Sequence, residues 1–116
     1  MELKDLEEVL NGALRKLHSE TEAALQDALT AVESFFNYIV DERLRVKRGR
    51  RQELFDLMYN VRSVARALKA SKVRLLLASS EAEKRSILAE VELDIEEVIE
   101  YVKLLRRMFE ETVYDF

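Results

Sequence analysis

A stretch of 116 residues with no proline and only two glycines has almost no means of stopping a helix or turning a β-hairpin. Proline breaks regular structure by removing an amide donor, and glycine reaches the conformations that tight turns demand. A β-protein built of short strands needs such a turn about every ten residues. The chain is therefore expected to be all-α.

Apolar spacing agrees. Leu3, Leu6, Leu10, Ala13 and Leu17 recur at steps of three and four, which keeps them on one helix face. A second stripe runs through Leu25, Ala28, Val32, Phe35 and Ile39, widened by Leu29, Phe36 and Val40. The third comprises Leu54, Leu57, Val61, Val64, Leu68 and Leu75, and the fourth Leu88, Val91, Ile95, Val98, Val102, Leu105 and Phe109. Ser19 with Glu22 and Ser80 with Glu83 have the capping-box spacing that opens a helix. Gly49 suits a left-handed stop to the second helix. Asp94 with Glu97 allows a fresh start inside the last segment, so a break near Glu92 is expected as an option. The reading is one helical domain over 1–116, a four-helix bundle with long third and fourth helices.

Other features narrow the class. Cysteine is absent, which removes disulfides and thiolate metal sites and fits a reducing, cytoplasmic setting. Apolar runs reach only three or four residues and the first residues lack a secretory layout, so no membrane association is expected. His18 is the single histidine, at the expected end of the first helix, where an imidazolium can meet the last carbonyls. It cannot build a two-histidine metal site alone. The carboxylates Glu90, Glu92, Asp94, Glu96, Glu97 and Glu100 invite comparison with magnesium-dependent nucleotide pyrophosphatase bundles. Those need acid pairs pointing inward on facing helices. Here Glu96, Glu97 and Glu100 fall between the apolar positions, on the flank of the helix. The expectation is a non-enzyme with no cofactor and no metal.

Charge is sharply divided. Residues 43–80 hold eleven basic and two acidic side chains, while the rest of the chain holds eight basic and twenty-one acidic. Arg43, Arg45, Lys47, Arg48, Arg50 and Arg51 crowd into nine residues. Farther on, Arg62, Arg66 and Lys69 fall within about 60° of one another on a helical wheel, away from the Leu57/Val64/Leu68 face. These nine cations are the candidate interaction residues. They can meet an acidic protein surface or release counterions from nucleic-acid phosphates. The divided charge of an acidic chain favours a protein partner. Gln52, Phe55 and Met58-Tyr59 approach the spacing of sliding-clamp-binding peptides, with Met58 in place of the penultimate aromatic.

The segments VRSVARALKASKVRLLLAS (Val61 to Ser79) and LAEVELDIEEVIEYVKLLRRMFEE (Leu88 to Glu111) resemble the helical domain of a GINS-complex subunit, in the archaeal form that places this domain first. The likeness lies in an arginine-rich helix ending in Lys72, Arg74 and Leu75 to Leu77, then a short loop. An acid-opened helix carrying Tyr101 follows. LEEVLNGALRKLHSE is similar to the family's opening helix, and VESFFNYIVDERLR to its aromatic second helix. The family's proline before that second helix is missing, as is its small β-rich domain. The resemblance implies a non-catalytic DNA-replication factor that assembles through its helices and couples to the MCM helicase. The alternative is a small helical nucleic-acid-binding subunit using residues 43–74. Phe35, Phe36, Phe55, Met58, Tyr59, Met108, Phe109, Tyr114 and Phe116 exceed what four thin stripes bury alone, so a homo- or hetero-oligomer is expected.

Overall fold

The four apolar stripes become four helices: α1 (Leu3–Lys16), α2 (Thr21–Glu42), α3 (Arg51–Leu77) and α4 (Glu81–Tyr114), with a short 3-10 turn at Arg48–Arg50 before α3. They are seen in a computed structural model that describes residues 2–42 and 48–114. No strand occurs among the described residues. Each helix packs on its neighbours in sequence, and α1 closes the ring against α4, while α2 and α4 barely touch across the middle. The result is an up-down-up-down bundle 55 Å long and 22 by 17 Å across. Its length is set by α4, whose 34 residues span about 51 Å at 1.5 Å each.

The core is the predicted one with few exceptions. Leu6, Leu10, Leu17, Phe35, Ile39, Leu54, Val61, Leu68, Ile95 and Leu105 are all fully buried. Each large aliphatic buried this way contributes about 1.5–3 kcal/mol. Leu75 is only half-buried, because α3 nears its end there and has fewer neighbours. Tyr38 meets Phe109 edge-on, with ring centroids 6.2 Å apart, and so joins α2 to α4. Ion pairs lace the outside: Lys16 with Asp27 between α1 and α2, Lys69 with Glu33 between α3 and α2, and Arg74 with Glu90 between α3 and α4.

Helix ends show where local signals mislead. At α4 the predicted cap forms: the Glu83 amide donates to Ser80 Oγ at 3.1 Å. The return bond goes one residue further than expected, from the Ser79 amide to the Glu83 carboxylate at 3.1 Å. At α2 the Ser19–Glu22 box is not used. Ser19 Oγ instead donates back to the Lys16 carbonyl, and Thr21 Oγ1 donates to the Leu17 carbonyl at 2.7 Å. The tight passage out of α1 leaves α1's last carbonyls facing these hydroxyls, and they outcompete the cap. Gly49 does not stop α2, which ends at Glu42. It lies in the 3-10 turn leading into α3 and has no positive φ. Nor does α4 break near Glu92; it runs unbroken from Glu81 to Tyr114. Val91, Ile95 and Val98 keep one buried face continuous through that point, so packing rewards an uninterrupted helix.

Candidate interaction surface

The nine candidate cations divide into two groups. Arg43, Arg45 and Lys47 lie outside the described residues. Arg48 and Arg50 belong to the 3-10 turn, and Arg51 is the first residue of α3. Arg50 reaches Glu53 at 3.1 Å across one turn, which offsets the poor placement of positive charge at a helix start. Arg51 is half-buried, and its Nε has no hydrogen-bond partner among the described residues. Arg50 and Arg51, both half-buried, are woven into the α3 start more than they are presented outward.

Arg62, Arg66 and Lys69 are different. All three are exposed on α3, as their spacing predicts. Lys69 lies 3.5 Å from Glu33 of α2. Among the described residues no carboxylate pairs with Arg62 or Arg66. Other ion pairs tie the helices together: Glu7 holds Arg106 of α4 at 2.6 Å, and Glu90 of α4 holds Arg74 of α3.

Sequence reasoning counted Phe55 and Tyr59 among the surplus apolar groups but did not set them, or Val73 and Leu76, beside the arginines. Phe55 and Tyr59 precede them, and Val73 and Leu76 follow, all exposed, with Tyr59 at 74% and Leu76 at 76%. Phe55, Tyr59, Arg62, Arg66, Lys69, Val73 and Leu76 recur at alternating steps of four and three. This is the period of a second helix face, opposite the one in the core. The signal was present in the residues, but large apolar side chains read first as core. Leu77, at 77% exposed, widens the aliphatic end. The face is aromatic at one end, cationic in the middle and aliphatic at the other. Beside it, a groove of about 450 Å³ between α2 and α3 is lined by Val32, Phe36, Asn37, Arg62, Ala65 and Lys69 among others.

The α4 carboxylates form no inward cluster. Among the described residues no group of three or more His, Asp or Glu side chains is placed to hold a metal. Glu92 lies 2.8 Å from His18 Nε2, so the histidine sits on α4 and not on the end carbonyls of α1. Glu97 accepts from Tyr101 Oη at 2.7 Å. Burial chiefly, then this hydrogen bond, pushes the Tyr101 hydroxyl up to about 12. Asp94 is held above its ordinary value, first by burial and then by Glu97 and Glu90. A cleft of about 250 Å³ between α3 and α4 joins these groups to Asn60 and Ser63. Two neighbouring acids, Ser63 and one tyrosine hydroxyl give it a polar lining.

No family model, no curated protein and no solved structure matches the chain. No described helix is long and apolar enough to cross a membrane.

Proposed function

We propose that this protein is a non-catalytic interaction subunit that docks a protein partner along the outward face of α3. The resemblance to GINS helical domains suggests the setting, a DNA-replication assembly coupled to the replicative helicase. One observation carries the reading. Arg62 and Arg66 stand without ion-pair partners among the described residues, in the middle of an exposed stripe with apolar side chains at both ends. Exposed aromatic and aliphatic side chains beside arginines suit a contact surface, where aromatics and arginine are enriched. The two arginines would supply steering and register, and Phe55, Tyr59, Val73 and Leu76 the area that excludes water.

A second reading has its own support. Exposed Phe55 and Tyr59 beside Arg62 and Arg66 also suit single-stranded nucleic acid, whose bases stack on aromatics while its phosphates meet cations. One pair of measurements separates the two. Affinity purification from source cells should recover replication-helicase proteins with the wild type and lose them with Arg62→Glu/Arg66→Glu. Anisotropy with labelled single-stranded and duplex DNA should show no binding at about 0.15 M salt. DNA binding that persists at that salt and disappears in the double variant would replace the first reading with the second.

A further inference from the structure

The outward face of α4 carries a stripe of the opposite charge. Leu93 and Leu104 are exposed, at 67% and 41%, and between them Glu97 and Glu100 are exposed as well. The four recur at steps of four, three and four. Glu97 accepts from Tyr101 at 2.7 Å, and Glu100 lies 3.5 Å from Lys103 on its own helix. We propose that two copies of the chain pair through these faces, α3 of each against α4 of the other. The proposal rests on the reading of α3 as a docking surface: a second copy covers that face, and the protein partner competes with it for the same stripe.

Three features support the match. The charges are complementary, with Arg62 and Arg66, unpaired among the described residues, on one stripe and Glu97 and Glu100 on the other. The patterns also align. Tyr59 and Val73 stand about 21 Å apart along α3, and Leu93 and Leu104 about 16 Å apart along α4, at 1.5 Å per residue. With the centres superposed, the apolar ends fall within about 2 Å of each other along the axis, well inside the reach of a tyrosine or leucine. Finally, the two stripes lie on neighbouring helices of one bundle, and the reciprocal arrangement is the one that closes on two copies, where a single unlike contact would propagate into a chain.

Sedimentation at about 100 μM protein tests this. The wild type should have the mass of a dimer in about 50 mM salt and shift toward monomer in about 500 mM, as screening predicts. Arg62→Glu/Arg66→Glu and Glu97→Lys/Glu100→Lys should each be monomeric, and an equal mixture of the two should recover the dimer, because the swapped charges are again complementary. Leu93→Lys, which leaves the Tyr101–Glu97 bond alone, should be monomeric too. A monomeric wild type at low salt overturns the proposal, as does any of these variants remaining dimeric or a mixture remaining monomeric. The partner reading fails separately: it requires that Glu97→Lys/Glu100→Lys still recover helicase proteins while the α3 variant does not.

Discussion

Asp94 shows how much one half-buried carboxylate can say about its surroundings. Its value lies above the ordinary 3.8 because burial and the nearby Glu97 and Glu90 disfavour its charge. The protonated form therefore favours the fold. That contribution is complete below 3.8, the value in the unfolded chain, and is lost as the pH rises through the raised folded value. At neutral pH the ionised carboxylate works against stability. Asp94→Asn should melt at a higher temperature than the wild type at pH 7. The gain should shrink as the pH falls toward 3.8, and a thermal melt at a series of pH values measures both. A variant that gains nothing at pH 7 would mean that solvent screens the site fully.

At the scale of elements, the fold was largely legible and the ends of helices were not. The buried stripes follow from a 3.6-residue period that runs for five to seven positions per helix, and a pattern of that length is hard to satisfy by accident. Capping is decided by one or two hydrogen bonds whose competitors lie only a residue or two away. Ser80 caps α4 because the extended backbone at Ala78 leaves its hydroxyl free to turn toward the Glu83 amide. Ser19 has the same spacing to a glutamate but lies within reach of the Lys16 carbonyl, and bonds there. Ser80→Ala should cost about 1 kcal/mol, read from chemical denaturation, whereas Ser19→Ala should cost distinctly less. The candidate surface was half legible. Arg62, Arg66 and Lys69 declared themselves by charge, but Phe55, Tyr59, Val73 and Leu76 share a residue class with the core. Only the three-dimensional packing tells the two α3 faces apart.

For the whole molecule, the narrow bundle puts great weight on its central side chains. Phe35 is fully buried in α2 amid a core that is only one layer thick in each direction. Phe35→Ala should destabilise by about 3–5 kcal/mol, a large share of the roughly 5–15 kcal/mol that a domain possesses. Urea titration should show the midpoint fall sharply with an unchanged slope. The exposed Phe55, on the next helix, should tolerate the same change with little loss. That contrast separates the aromatics that hold the bundle together from those that face outward.

The closing of the ring by α1 has a consequence for the order in which the molecule opens and forms. Pairings of α1 with α2, α2 with α3 and α3 with α4 join elements adjacent along the chain, so they need only short loops to close. The α1–α4 seam joins Glu7 to Arg106 and His18 to Glu92, and it must wait for everything between to be arranged. With 14 residues, α1 is also the shortest of the four helices. It should behave as the least protected unit of the native state, detaching while the other three stay packed. Native-state hydrogen exchange should find α1 amides exchanging at a lower opening free energy than those around Val61 and Ile95. Arg106→Ala should lower protection in α1 while leaving the centre of α3 unchanged.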